Sequence, residues 1–192
     1  MVGVYYGQQA LKQIRSKTGI RKVFKEYKDQ RNPIDLVILL QDWSDPYNVG
    51  GMFRVADACG ASELILTGKT PQVSENPAIP VTSMGAHRRV AWRYIDRPLD
   101  ACEELQAEGY TLVAVEVADE AEHYMTFDYP EKCCLVLGNE GAGVYGKIMK
   151  VCDAAVFVPM AGKGRSLNVH VAAALVAFEA TLRLNPTSIE PE

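Results

Sequence analysis

Apolar positions along this chain fall in short continuous runs, and helically spaced apolar residues separate the runs. Residues 34–40 read IDLVILL, a run broken only by Asp35. Such a run suits a strand buried on both faces of a parallel sheet. Residues 63–67, 111–117, 132–137 and 154–158 repeat the pattern, so five strands are predicted. Val49, Met52, Phe53, Val55 and Ala56 predict a helix over residues 48–59, stopped by Gly60. Residues 98–108 predict another helix, ending at Gly109, and residues 144–151 a short one. The last helix is predicted over about residues 167–184. It carries Val171, Leu175, Phe178 and Leu182 on one stripe, and Ala172, Ala173, Ala177 and Ala180 on a second face small enough for close helix packing.

The remaining segments read differently. Residues 68–85 hold three prolines and few apolar residues and predict a long loop, a feature that in compact domains tends to be functional or mobile. Residues 118–130 predict a polar loop. Residues 8–31 carry only sparse apolar positions (Leu11, Ile14, Val23, Phe24, Tyr27) and predict a helical or partly mobile arm, ended by Asn32 and Pro33. Strands alternating with helices predict an α/β domain over residues 34–185, with a mainly parallel sheet and helices on both faces. A basic arm (residues 1–33) and a short acidic tail (residues 186–192) flank it. Ligands in such sheets bind beyond the carboxyl ends of the strands, which directs attention to three turns: the ones at Asn48, Gly138 and Pro159.

Composition narrows the class. With 192 residues and 48% apolar content the chain can build one full core. No apolar run approaches the ~18 residues needed to cross a bilayer, and the N-terminal residues lack the apolar centre of a signal peptide. A soluble, cytoplasmic protein is the expectation. Five cysteines, at 59, 102, 133, 134 and 152, form no CxxC. Neighbouring Cys133 and Cys134 should point to opposite faces of their strand. They read as buried thiols rather than a disulfide set or a zinc site. The net charge of −4 conceals an asymmetry: residues 1–32 hold eight Lys/Arg against Glu26 and Asp29, hence +6, and the rest hold twelve against twenty-two, hence −10. A basic arm on an acidic body suits an anionic partner such as a nucleic-acid backbone, and equally a solvated helix.

Three stretches carry candidate chemistry. Asn48-Val-Gly50-Gly51-Met-Phe-Arg54 places a lone guanidinium on a largely apolar helix, where it needs an anion, either an ion pair in the fold or a phosphate. Leu137-Gly138-Asn139-Glu140-Gly141-Ala142-Gly143 follows a strand. Its Gly141, Gly143 and Gly146 match GxGxxG, so a nicotinamide site is a rival reading. Those glycines come late, the helix behind them is short, and Lys163 and Arg165 stand where an acidic residue belongs. The third stretch, Pro159 to Val169, passes Gly162 and Gly164 before opening the last helix. His87, Arg88, Arg89 and Arg93 surround Trp92 and suit RNA phosphates and stacking, or a core tryptophan among solvated arginines.

In order and spacing, these three stretches resemble the SpoU (TrmH-like) branch of the SPOUT RNA methyltransferases over about residues 34–184. The family pattern is N-x-G-x-x-x-R, then G-x-E-x-x-G after a strand, then P-M-x-G-x-x-x-S-L-N-V. The resemblance implies a C-terminal deep trefoil knot, which ordinary connection rules would not suggest. It also implies a homodimer, for which the Ala-rich face of the last helix is a plausible contact. The implied reaction is methyl transfer from S-adenosylmethionine to a ribose 2′-OH of RNA, with no metal. Transfer RNA is slightly favoured over ribosomal RNA, since a small chain suits a compact substrate. By the same resemblance Arg54 acts on the ribose hydroxyl, by holding phosphate or stabilising alkoxide more readily than as a free base. Asn48, Glu140, Ser166 and Asn168 are implied as its partners: Glu140 pairing with Arg54, Ser166 bonding substrate or capping the last helix. The cofactor is expected against Val115, Gly138, Asn139, Val158, Met160 and Leu167. RNA is expected against Arg88, Arg89, Lys163 and Arg165. A catalytically inactive RNA-binding dimer with the same fold is the alternative.

Overall fold

A computed structural model of the chain describes residues 13–28 and 34–182. Helix α1 (Lys17–Lys28) is a unit by itself, its first turn bonded by Ser16 Oγ to the Gly19 N–H. It carries Lys17, Arg21, Lys22 and Lys25 of the predicted basic arm, and Arg15 precedes it; residues 1–12 and 29–33 of that arm and the acidic tail lie outside the described residues.

The second unit runs β1 (Asp35–Gln41), α2 (Pro46–Cys59), β2 (Glu63–Thr67), α3 (Ala78–Ser83), β3 (Ala91–Ile95), α4 (Pro98–Ala107), β4 (Thr111–Val115), β5 (Glu122–His123), β6 (Lys132–Leu137), α5 (Gly146–Met149), β7 (Ala154–Phe157) and α6 (Val169–Leu182). The seven strands form one sheet in the order β3-β2-β1-β6-β4-β7-β5, and every ladder between named strands is parallel.

Period-two alternation explains the layers. On β1, Leu36, Ile38 and Leu40 enter one core, and Val37 and Leu39 the other. β6 divides likewise, with Cys133, Leu135 and Leu137 on one side and Cys134 and Val136 on the other. The first core is closed by Val49, Met52 and Phe53 of α2 and by Ala173, Val176 and Ala177 of α6. The second is closed by Ala101, Cys102 and Leu105 of α4 and Ile148 of α5. Helices therefore cover both faces, as expected. The two adjacent thiols face opposite ways, and burial pushes Cys133 up to about 12. No helix among the described residues is long and apolar enough to cross a membrane.

Four features depart from the sequence-based reading. The predicted loop over residues 68–85 contains α3, although AIPVTS has three β-branched residues and an internal proline. Tertiary contact overrides the propensity: a methyl at Gly50 would stand 1.8 Å from Thr82 Oγ1 and 3.0 Å from the Ile79 carbonyl oxygen, so α3 docks where α2 has no side chain. The two-residue β5 lies in the predicted polar loop over residues 118–130, paired with β7, and β3 also went unpredicted. Its apolar alternation is interrupted by Arg93, which pairs with Glu63 at 2.8 Å and with Glu108 at 3.2 Å. Finally, the Ala-rich face of α6 is not available to a partner copy, because Ala173, Ala177 and Ala180 are buried in the chain's own core. The stripe at Val171, Leu175 and Phe178 is the exposed one, at 41, 40 and 38%.

The docking of α3 predicts an inverted propensity effect. Alanine is a better helix former than glycine by about 1 kcal/mol, yet Gly50→Ala should lower the melting temperature by several degrees, at ~2–4 °C per kcal/mol. A thermal scan showing equal or higher stability would contradict the close approach.

Candidate active site

Strand β6 ends at Leu137, and the next seven residues fold back on themselves. Asn139 N–H donates to the Gly143 carbonyl at 3.1 Å, and Gly143 N–H donates to the Asn139 carbonyl at 2.9 Å. Asn139 Oδ1 accepts the N–H groups of Gly141 and Ala142, and its Nδ2 donates to the Asp42 carbonyl. Gly138 permits the crossing, since a methyl there would stand 2.1 Å from the Gly143 carbonyl carbon. Two polar side chains that the sequence reading passed over pin this loop. Gln41, buried at the end of β1, donates Nε2 to the Gly143 carbonyl and accepts the Tyr145 N–H. Glu116, just past β4, accepts the Val144 N–H at 3.0 Å and the Val117 N–H at 3.0 Å.

Glu140 projects from this loop to the start of α2. Its carboxylate accepts the N–H and hydroxyl of Ser44, the N–H of Asp45 at 3.1 Å, and Asn48 Nδ2 at 3.2 Å. Burial alone would raise its proton affinity. The bonds from the Ser44 and Glu140 backbone, Asn48 and Asp45 outweigh burial and hold the carboxyl below its ordinary value of about 4.5. The helix N-terminus suits the negative charge. Asn48 is buried, and its Oδ1 accepts Asn168 Nδ2 at 3.0 Å and faces His170 Nδ1 at 3.0 Å. Asn168 caps α6, its Oδ1 accepting the His170 N–H.

Thus Asn48, Glu140 and Asn168 form one network. Two expected contacts are absent among the described residues. Glu140 does not pair with Arg54, which is exposed further along α2 and makes no ion pair or hydrogen bond there. Nor does Ser166 cap α6; Asn168 occupies that position, and Ser166 stands in the exposed loop ahead of it. Glu140 has no need of Arg54, because its carboxylate is already satisfied at the α2 terminus by Ser44, Asp45 and Asn48.

A cleft of about 440 Å³ opens beyond the ends of β4, β6 and β7. Its lining includes Val115, Gly138, Asn139, Val158, Met160 and Leu167, together with Glu116, Glu140, Arg165 and Ser166. The volume lies in the range of small-molecule sites. Asn139 presents little free hydrogen-bonding capacity to it, since its side chain is spent on the Gly141 and Ala142 N–H groups and the Asp42 carbonyl, and both backbone groups on Gly143. The arginines divide. Arg89 grips Asp57 and the Gly85 carbonyl, and Arg93 its two glutamates; Trp92 packs edge-on to Phe53 at 6.2 Å. Arg88, Lys163 and Arg165 are exposed, with no ion pair among the described residues.

A parallel α/β sheet with a cofactor-sized cleft at its carboxyl edge, walled by glycine-bearing turns, defines a binding domain for a small nucleotide-like molecule. The pattern of the SpoU rRNA Methylase family matches residues 35–178, and the chain belongs to that family. It is 32% identical over 167 residues to a tRNA (guanosine(18)-2′-O)-methyltransferase of Thermus thermophilus, covering 87% of this chain and 84% of that one. It is 35% identical over 146 residues to the 23S rRNA (guanosine-2′-O-)-methyltransferase RlmB of Ralstonia nicotianae, covering 76% and 57%. Among solved structures, the SpoU methyltransferase AviRb of Streptomyces viridochromogenes in complex with AdoMet superposes with a TM-score of 0.71 at 28% identity, over 84% of this chain and 60% of that one. The chain therefore spans less than two thirds of the last two proteins.

The Glu140 network predicts a pH-dependent contribution to stability. Its native proton affinity is lowered, so the contribution is complete above the ordinary carboxylate value of about 4.5 and is lost as pH falls through the lower native value. Glu140→Gln should melt on the order of 5 °C below wild type at pH 7, and the gap should close as pH falls below the ordinary carboxylate value. A gap that does not change with pH would mean the carboxylate charge is not what ties the loops.

Proposed function

We propose that this chain transfers a methyl group from S-adenosylmethionine to a ribose 2′-OH of RNA. The observation that carries the reading is the meeting of residues 115–117, 138–144 and 157–169 in one cleft, beside the Asn48–Glu140–Asn168 network. The cleft suits the donor chemically. Val115, Val117, Phe157, Val158 and Leu167 offer apolar wall to an adenine, and Glu116 and Glu140 offer negative charge to a sulfonium and an ammonium. When bound, the cofactor supplies an already activated methyl group, so the residues of the chain have only to align the acceptor oxygen and manage its proton. Arg54, exposed and without a partner among the described residues, holds a substrate phosphate or the developing alkoxide. Arg88, Lys163 and Arg165 meet further phosphates. Arg89 is spent on Asp57 and contributes by holding its segment in place. Transfer RNA is the favoured substrate, because the relative named for a tRNA activity is covered over 84% of its length and the one named for 23S rRNA over 57%.

The reading includes two architectural elements. Residues 159–168 thread past the loop at residues 138–144 as a trefoil knot; the order β6-β4-β7 and the shared cleft support this. Two copies pair through the exposed Val171, Leu175 and Phe178 stripe of α6, an i, i+4, i+7 row of the kind that packs against another helix.

Titration calorimetry should show S-adenosylmethionine binding and no binding of a nicotinamide dinucleotide. Arg54→Ala should leave that binding within about threefold and reduce methyl transfer to bulk tRNA by at least about a hundredfold. Normal transfer by this variant would remove the role given to Arg54, and no cofactor binding by wild type would favour a non-catalytic RNA-binding protein. Leu175→Glu should convert a dimer to a monomer in light scattering, and an unchanged mass would reject the α6 stripe as the interface.

A further inference from the structure

The five polar residues of the proposed site leave one chemical task unassigned. Arg54 remains a cation near neutral pH and cannot take a proton. Asn48 and Asn168 are amides, and Ser166 is a hydroxyl. Both oxygens of Glu140 are committed to N–H and O–H donors of Ser44, Asp45 and Asn48. None is a free proton acceptor, yet a ribose hydroxyl must lose its proton as it is methylated.

The same network supplies a candidate. Glu140 is ionised and can only accept, so Asn48 must turn its amide nitrogen toward it and its oxygen toward α6. That oxygen receives Asn168 Nδ2 and sits 3.0 Å from His170 Nδ1. Since the oxygen only accepts, the proton of the neutral imidazole lies on Nδ1. Nε2 is then left with its lone pair, and no hydrogen bond occupies it among the described residues. The Cδ2–Nε2 edge rests over Gly51, where a methyl would stand 3.3 Å from Cδ2 and 3.5 Å from Nε2. Arg54 follows three residues later, one turn along the same face of α2.

We propose that His170 is the proton acceptor of the methyl transfer, held in its Nδ1–H tautomer by Asn48 and, through Asn48, by Glu140. The proposal rests on the methyltransferase reading above. Carboxylate, amide and imidazole stand in series, so the base is oriented by a neighbour that is itself oriented, and the imidazolium that forms faces an amide oxygen backed by a carboxylate. In the step, the 2′-oxygen bonds to the methyl carbon, the carbon–sulfur bond breaks with its electron pair going to sulfur, and the hydroxyl proton passes to Nε2. Water then takes that proton from the ring. The charged group linked to His170 by hydrogen bonds is Glu140, through Asn48, and the nearest charge along α2 from Gly51 is Arg54, one turn on.

Two measurements test this. Long-range proton–nitrogen NMR of histidine-labelled protein without cofactor should show His170, assigned by its loss in His170→Asn, protonated at Nδ1 and bare at Nε2. The reverse tautomer overturns the proposal. His170→Asn keeps an N–H donor in place of Nδ1 and lacks Nε2. It should bind S-adenosylmethionine within about twofold of wild type and lose about a hundredfold or more in single-turnover methyl transfer. A wild-type rate overturns the proposal; should that variant fold poorly, His170→Gln is read the same way. Absence of transfer by wild type itself would instead sink the methyltransferase reading, and the tautomer result stands apart from it.

Discussion

The carboxylate of Glu140 is the point through which separated parts of the chain are joined. It lies in the loop after β6, yet its acceptors are filled by Ser44, Asp45 and Asn48, more than ninety residues earlier. Through Asn48 the same network reaches Asn168 and His170 at the opening of α6. A buried amide and an ionised carboxylate tolerate no unpaired alternative at low cost. The starts of α2 and α6 and the loop beyond β6 therefore have essentially one mutual arrangement. The cleft beside them is a consequence of that arrangement.

The sheet supplies the rigid support. β1 and β6 lie side by side at its centre, buried on both faces, and their carboxyl ends carry Gln41 and the loop at residues 138–144. Gln41 ties the two ends together by bonding to Gly143 and Tyr145. Glu116 does the same from the end of β4. The site thus hangs from strand ends held by ladder hydrogen bonds, a better platform for exact geometry than a free loop.

Charge is distributed with similar economy. Among the arginines of residues 88–93, Arg89 and Arg93 are neutralised by acids of the fold, and Arg88 is not. Arg54 is left unpaired because the carboxylate nearest the network is satisfied by backbone. Placing an exposed guanidinium beside neutralised neighbours concentrates positive potential where an anionic substrate would approach.

Much of this was legible in the amino-acid sequence. Unbroken apolar runs such as those at residues 34–40 and 132–137 are buried on both faces whatever their neighbours, so local pattern suffices to place them, and glycine-bearing turns after strands mark where a ligand edge lies. The six residues expected around the cofactor do line the one cleft described here. What the pattern could not carry were interactions decided by distant partners. α3 forms on a segment of poor helix propensity because Gly50 leaves room for it, and β3 is disguised by an arginine whose acids lie on β2 and after α4. The Ala-rich face of α6 turned inward because α2 was there to meet it. Glu140, His170 and Glu116 took their roles from hydrogen bonds spanning from twenty-eight to over a hundred positions, a range at which sequence spacing holds no information and only the folded backbone brings donor to acceptor.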